Sequence, residues 1–155
     1  MESRLVNWLR GAIGQKLIAV LALVYVYEGE KEFLNPQELN IQFSSGRHGK
    51  FMCSCDGSSI DWQEEEIREC DMEEFGSQVI ENLSKLPKWQ SVVDKVLVGA
   101  ALIRSSVEAS LIGVQLSFEG SSSISVLNLG DELYVYQDIP DEVICDQGIT
   151  FSSIT

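Results

Sequence analysis

The chain has few basic residues and a single histidine. Its 155 residues include 11 Lys and Arg against 24 Asp and Glu, which gives a formal net charge of -13. No Lys or Arg follows Arg104. Because nucleic-acid affinity depends largely on cations that displace counterions from phosphates, this balance argues against a direct DNA or RNA binder, and it disfavours an anionic membrane surface as well. An acid excess usually serves solubility alone, but it can also steer a protein partner with a basic surface.

Long hydrophobic runs and a disulfide framework are also missing. The apolar run Leu17 to Tyr27 is shorter than the ~20 residues that a membrane-spanning helix needs, and no small-residue cleavage site follows it. The four thiols are not densely spaced, and they are Cys53, Cys55, Cys70 and Cys145. A chain with 45% hydrophobic residues encloses a core without disulfides. We therefore expect one domain over residues 1–155, with reduced thiols, in the cytoplasm.

The first part of the chain predicts a helix followed by antiparallel strands. Leu5, Trp8 and Leu9 follow the capping residue Ser3 at helical spacing. The run Leu17 to Tyr27 is rich in β-branched and aromatic residues and predicts a buried strand. Alternating apolar residues and turn residues then predict three more strands joined by two hairpins, around 39–43, 51–55 and 60–62.

The segment 70–86 predicts a linking helix. Five apolar side chains share one helical face, namely Met72, Phe75, Val79, Ile80 and Leu83. Asp71 and Glu74 resemble a capping box, and Pro87 closes the segment.

The pattern of the first part returns after the predicted helix. Val98 to Ile103 echoes Ile13 to Ile18, and later turn and strand residues follow in the same order. This alignment places Val126 at the position of Cys53. We predict an internal repeat with unit one over 3–63, a linking helix over 70–86, unit two over 88–137 and a docked tail over 138–155 that ends as an edge strand.

The two units together predict an α+β fold. Each unit exposes strand edges and one apolar face, so burial favours packing the units against each other. We expect antiparallel sheets or a partly open barrel, formed by two similar β-rich units with two or three helices.

The chain has few residues of the types that usually form catalytic or metal-binding sites. Cys53 and Cys55 are separated by one residue on a predicted strand, whereas structural zinc sites usually present Cys-x2-Cys on a turn. His48 lies between glycines in a predicted turn, and no Gly-x-Ser-x-Gly elbow follows a strand. We therefore predict no catalytic residue, no metal and no cofactor.

Two acidic segments are the candidate partner-binding residues. The first follows the predicted strand at 60–62 and contains Glu64, Glu65, Glu66, Glu69 and Glu73. Negative charge at a helix N-terminus is favourable, but this run exceeds that need. The second is Asp131 with Glu132, which follows Gly130 in a predicted turn between two strands. A solvated turn is one interpretation of this pair; the other is partner contact, because exposed charged loops steer partners of opposite charge.

Three segments of unit two resemble small acidic bacterial proteins of the immunity type. They are Gly113 to Gly120, Ser123 to Val126 and Gly130 to Val135. Proteins of that type neutralise a toxin by binding it, often in the cytoplasm. The resemblance implies a binding role for Asp131 and Glu132 only, because unit one has Ser58 and Ser59 at those positions. It implies no catalytic residue.

The leading hypothesis is a non-enzymatic acidic binding protein, with an immunity-like inhibitor of a basic toxin as its specific form. One alternative is a structural or dimerising module that forms a homodimer. The other is a small-molecule or enzymatic site between the two units, which would use His48 and neighbouring carboxylates.

Overall fold

Two β-sheets and three α-helices build the part of the chain that the computed structural model describes, residues 1–154. The helices are α1 (Glu2–Ala12), α2 (Pro87–Gln90) and α3 (Asp141–Gln147). The strands before α2 are β1 (Leu17–Tyr27), β2 (Glu30–Lys31), β3 (Glu38–Phe43), β4 (His48–Cys53), β5 (Ile60–Gln63), β6 (Cys70–Asp71) and β7 (Ser77–Asn82). Those after it are β8 (Leu97–Ser105), β9 (Ser110–Phe118), β10 (Ser122–Asn128), β11 (Leu133–Tyr136) and β12 (Ile149–Ser153). Within residues 1–154, no helix combines the length and apolar content that crossing a membrane requires.

Each half of the chain forms its own sheet. The first sheet has the strand order β5-β4-β3-β1-β7-β6, with β2 paired to β1, and the second has the order β11-β10-β9-β8-β12. Neighbouring strands are antiparallel. The predicted α+β class with antiparallel sheets is therefore confirmed.

The predicted helix and strands of the first part are also confirmed, but the helix begins at Glu2 with Met1 as its N-cap residue, so the predicted capping role of Ser3 is wrong. The run that begins at Leu17 is strand β1, which pairs with β3 along one edge and with β7 along the other, so it is an interior strand of the first sheet. The strands β3, β4 and β5 form the two expected hairpins. The helix α1 buries Leu5, Trp8 and Leu9, as the spacing predicts.

The two sheets pair their strands in corresponding registers. Leu17 of β1 lies opposite Phe43, and Leu97 of β8 lies opposite Phe118. Both ladders then shift by one residue at the next position. The β8 strand therefore corresponds to β1, and β9, β10 and β11 correspond to β3, β4 and β5.

Backbone hydrogen bonds join the two halves in reciprocal pairs. In each pair, the donor and acceptor of one bond are equivalent to those of the other, with the two units interchanged. Gly14 N–H donates to Leu97 O at 2.8 Å, and Asp94 N–H donates to Leu17 O at 2.7 Å. Between these bonds, Lys16 and Val96 form an antiparallel bridge. The two units are thus related by a pseudo-two-fold axis that passes close to this bridge.

One apolar core lies between the sheets. Side chains from both sheets and from α1 and α2 belong to a single cluster. Trp8, Trp62 and Trp89 are 1%, 3% and 2% exposed, so all three tryptophans belong to this core. A second small cluster on the outer face of the second sheet contacts Ile139 and Ile149. The tail therefore docks as predicted and ends in the edge strand β12, while Thr155 lies outside the described residues.

The predicted helix at 70–86 is wrong. The segment forms β6, a 3-10 turn (Glu73–Phe75) and β7 instead. The strand β7 pairs with the side of β1 that β3 leaves open, so its backbone groups find partners there. Gly76, at φ 97°, ends the turn with a backbone conformation that a helix does not allow. Of the apolar stripe, Phe75 stays 68% exposed and Leu83 is buried.

The register of the predicted echo is also wrong. Leu97, rather than Leu102, occupies the position of Leu17, because both residues begin their strands opposite a phenylalanine. At the other end of the unit, Cys53 pairs with Ile60 and Asn128 pairs with Leu133. Cys53 therefore corresponds to Asn128 and not to Val126.

Candidate binding cleft

An acidic cleft of about 520 Å³ opens where the β10–β11 turn meets the first sheet. We call it the acidic cleft; its lining residues are Tyr25, Glu32, Asn35, Pro36, Gln37, Glu38, Met52, Cys53, Gln78, Asp131, Glu132 and Leu133. Four of these side chains are carboxylates, and none is a lysine or an arginine. The cleft therefore presents negative charge without a cation in its wall.

The β10–β11 turn sets the position of Asp131 and Glu132. Gly130 and Asp131 are its central residues and have φ values of 62° and 65°. Two central residues with positive φ are typical of a type I′ turn, which glycine and aspartate adopt readily. Asn128 Oδ1 accepts a hydrogen bond from Asp131 N–H at 3.0 Å. The local sequence thus holds both carboxylates at the rim of the cleft.

The cleft lies where the two units differ in sequence. On one side of the pseudo-two-fold axis, Asn128 Nδ2 donates to Ser59 O at 2.9 Å and ties the end of β10 to the β4–β5 turn. On the other side, the equivalent residues are Cys53 and Glu132. A thiol is a weak donor compared with an amide. The second side therefore lacks this tie and lines the acidic cleft.

The opposite wall comes from the segment between β2 and β3. Asn35 Nδ2 donates to Leu133 O at 3.1 Å and holds this segment against β11. The neighbouring Gln37 Oε1 accepts a hydrogen bond from Gln78 Nε2. Glu38 is paired with Lys50 at 3.3 Å, whereas no salt bridge involves Glu32 among the described residues.

The pKa of the Cys53 thiol is sensitive to the negative charge of the cleft. Burial, together with the charges of Asp131 and Glu132, raises the pKa of Cys53 from 9.0 to about 11. At neutral pH this thiol is protonated, so it is a poor nucleophile and a poor metal ligand. The same charges that disfavour a thiolate favour a bound cation. Chemically, the cleft suits an ammonium or guanidinium group.

The first predicted acidic segment lies elsewhere and is divided. Glu64, Glu65 and Glu66 follow β5, and Glu65 faces Lys50 at 3.7 Å. Glu69 Oε2 accepts from Ile80 N–H at 2.8 Å, so it bonds the β7 backbone. Glu73 lies in the 3-10 turn. The structure brings only Asp131 and Glu132 into the acidic cleft.

Glu38 connects the two acidic regions. It lines the acidic cleft and also a neighbouring depression that contains Lys50, Glu65 and Arg68. Because cations are present in that depression, its carboxylates are partly neutralised. The acidic cleft is the more strongly negative of the two.

His48 lies away from the acidic cleft. It begins β4 rather than lying in the turn, and its Nδ1 is 3.3 Å from Asn40 Nδ2. Among residues 1–154, no group of three His, Cys, Asp or Glu side chains is arranged to hold a metal ion.

Sequence reasoning missed Glu32 and Glu38. They lie in the connector after β1 and at the start of β3, and nothing local distinguishes them from other surface acids. Their place in the cleft depends on the contact of Asn35 with Leu133, which are distant in sequence. The turn signal at Gly130 was sufficient for Asp131 and Glu132 because a hairpin turn is a local feature.

The chain was compared with family models, curated proteins and solved structures, and none of them matches it significantly.

Proposed function

We propose that this chain is a non-enzymatic binding protein that recognises a basic segment of a protein partner through the acidic cleft. The observation that carries the proposal is a cleft with four carboxylates and no lysine or arginine in its wall. Glu38 is paired with Lys50, whereas no salt bridge among the described residues involves Glu32, Asp131 or Glu132, so a bound Lys or Arg would supply their counter-charge.

The charge of the whole chain supports the same proposal. A net charge of -13 accelerates the approach of a basic protein and repels an acidic one. The raised pKa of Cys53 supports binding over thiol chemistry in the cleft. In its specific form, the proposal is an immunity-like inhibitor that covers the basic surface of a toxin.

The test is binding of a lysine-rich peptide to the purified chain, measured by fluorescence anisotropy at several ionic strengths. We expect affinity to fall as salt rises, because the contacts are ionic and partly exposed. The cleft variant Glu32→Gln, Asp131→Asn, Glu132→Gln should weaken binding by about tenfold or more, which is ~1.4 kcal/mol. Asparagine is chosen at position 131 because it tolerates positive φ.

The matched control removes three exposed carboxylates outside the cleft, by Glu108→Gln, Asp138→Asn and Asp146→Asn. It changes the net charge equally, so it should retain most of the affinity. Equal losses in the two variants would show that overall charge, and not the cleft, attracts the peptide. For the immunity-like form, the product of a toxin gene directly upstream should bind the chain and lose its activity.

One observation favours a dimerising module as a second candidate. The edge strand β12 contains no charged residue, and Phe151 is 45% exposed on it. Edge strands usually carry charges or proline, which prevent pairing with another chain. Sedimentation should detect a dimer that Phe151→Lys abolishes; a monomer at all concentrations would contradict this function.

A further inference from the structure

An apolar groove of about 480 Å³ lies next to the acidic cleft. Its lining includes the large apolar side chains of Phe33, Leu34 and Leu86. These three side chains are 44%, 70% and 42% exposed. Trp89 and Val135 also line the groove and are almost fully buried. Neighbouring exposed apolar side chains of this size indicate an interaction surface.

The apolar groove and the acidic cleft adjoin each other. Pro36 lines both, and Glu32 of the cleft directly precedes Phe33 of the groove. Lys88 is the only charged residue in the groove wall. Its Nζ donates to Val135 O at 2.8 Å and lies 5.9 Å from the centre of the Tyr136 ring, so this cation is already engaged. A ligand that spans both regions would be apolar along the groove and cationic beside it.

The pseudo-two-fold axis relates the helix beside the groove, α2, to helix α1. Val93 N–H donates to Trp89 O just as Ile13 N–H donates to Leu9 O. The short helix α2 therefore corresponds to the last turn of α1, and Trp89 to Leu9. Helix α1 extends further towards its N-terminus and buries Leu5 there. Before α2 the chain comes instead from β7, so the second unit has no equivalent of these first turns.

Two residues that α1 contacts have equivalents in the lining of the apolar groove. Trp8 of α1 packs on Trp62 at 5.4 Å, and Arg10 Nε donates to Ile154 O at 3.2 Å. The residue equivalent to Trp62 is Val135, because the two occupy the same register opposite Phe51 and Val126.

Ile154 has an equivalent in the groove as well. Leu83 N–H donates to Val20 O as Ile154 N–H donates to Ala100 O, so Leu83 corresponds to Ile154. Val135 and Leu83 both line the apolar groove. The last turn of α1 therefore has its equivalent in α2, whereas the first turns of α1, which bury Leu5, have none, so a shorter helix covers this half of the molecule.

We propose that the apolar groove binds an amphipathic helix of the partner protein, with lysine or arginine on the flank that faces the acidic cleft. The inference rests on the proposed function and specifies its partner. The partner's helix presents apolar residues at intervals of three and four residues, as Leu5, Trp8 and Leu9 do in α1. Glu32, Asp131 and Glu132 select the basic flank.

The probe is a helical peptide of five turns with leucine and tryptophan on one face and lysine on the other. Two matched peptides serve as controls, one with the same residues in scrambled order and one with glutamate in place of lysine. We expect the amphipathic lysine peptide to bind at least about tenfold more tightly than either control, since both contacts contribute. Circular dichroism should show that the peptide becomes helical on binding.

Two variants of the protein locate the site. Leu34→Asp places a charge in the groove and should weaken binding about tenfold or more. Val107→Asp is the control, because Val107 is 65% exposed in the β8–β9 turn and lies outside the groove. Both side chains are exposed, so both variants should keep the melting temperature of the parent chain.

The outcomes separate the two proposals. If the scrambled lysine peptide binds equally well, and only the cleft variant weakens it, the groove inference is wrong and the proposed function stands. If no lysine peptide binds, both are wrong. If the glutamate peptide binds as tightly as the lysine peptide, the charge selection is wrong. If Leu34→Asp instead dissolves a dimer of the chain, the groove is occupied by a second copy and the inference is overturned.

Discussion

The Cys53 side chain is the residue whose chemistry depends most on the acidic cleft. Its pKa of about 11 has two separable causes, burial first and then the charges of Asp131 and Glu132. Substitution of both acids by their amides should therefore lower the pKa without returning it to 9.0, because the burial remains.

The measurement is the rate of iodoacetamide alkylation as a function of pH. The three exposed thiols, Cys55, Cys70 and Cys145, are first replaced by serine. The rate should rise with a midpoint near 11 in this background and at lower pH in the amide variant. A midpoint near 9 before the acids are changed would contradict the described environment of Cys53.

The same shift predicts a dependence of stability on pH. The thiol ionises near 9.0 in the unfolded chain and near 11 in the folded one. Between these values the unfolded state loses its proton first, so the free energy of unfolding should fall as pH rises. Urea unfolding of the parent chain and of Cys53→Ser across this range measures the pH dependence that the thiol causes. The parent chain should show this dependence and Cys53→Ser should not, and below pH 9 the thiol should cause none.

Two glycines in the second sheet predict opposite effects of one added methyl group. A Cβ at Gly113 would overlap the carbonyl oxygen of Val126, whereas a Cβ at Gly99 would meet nothing within 4 Å. Gly113→Ala should destabilise the fold by ~1–3 kcal/mol or more, because the backbone of β10 must move. Gly99→Ala should be neutral or stabilising by up to ~1 kcal/mol, because it restricts the unfolded chain.

Thermal and urea unfolding of these two variants check the prediction. Gly99 corresponds to Ala19 in the register of the first sheet, so alanine already occupies the equivalent position of this fold. A stable Gly113→Ala variant would indicate a different spacing of β9 and β10.

At the scale of elements, helix α1 contributes the largest buried side chain that closes the core. Trp8 packs edge-on against Phe43 and Phe51 at 5.7 and 6.1 Å, and its Nε1–H donates to His48 O at 3.1 Å. Trp8→Ala should lower the free energy of unfolding by ~3–5 kcal/mol. The control Asn7→Ala, on the exposed face of the same helix, should change it by less than ~0.5 kcal/mol. Urea unfolding measures both, and equal small losses would contradict the packing of α1.

The elements that sequence analysis predicted well are those whose pattern has one interpretation. The run from Leu17 is too rich in β-branched and aromatic residues for an amphipathic helix, and its strand was predicted correctly. The segment at β7 has apolar residues at spacings that fit a helix too. Its strand state depends on pairing with β1, a long-range contact that local periodicity does not contain.

The candidate site also contains a part that local sequence predicts and a part that depends on long-range contacts. The turn that carries Asp131 and Glu132 is local and could be predicted from Gly130. The wall that carries Glu32 and the groove that begins at Phe33 require the contact between Asn35 and Leu133. The shape of the cleft therefore could not be predicted, although its charge could.

At the scale of the whole molecule, the shared core predicts a single cooperative unfolding transition. Leu17 and Leu97 are both fully buried and occupy equivalent positions. Leu17→Ala and Leu97→Ala should each cost ~2–5 kcal/mol and shift the same transition. Tryptophan fluorescence and far-ultraviolet circular dichroism should follow it with coincident curves. Two transitions, each shifted by one substitution, would indicate independent halves.

The common ancestry of the halves stays a prediction, whereas their arrangement is a fact of the structure. Gly14 bonds Leu97 and Asp94 bonds Leu17, which is the reciprocity of an isologous contact between identical subunits. In a homodimer, both copies would have to carry the same cleft and the same helix. Because both units belong to one chain, one can retain a long helix while the other shortens it, and one turn can carry acids while the other carries serines. The single polypeptide thus permits a one-sided recognition surface that exact symmetry would forbid.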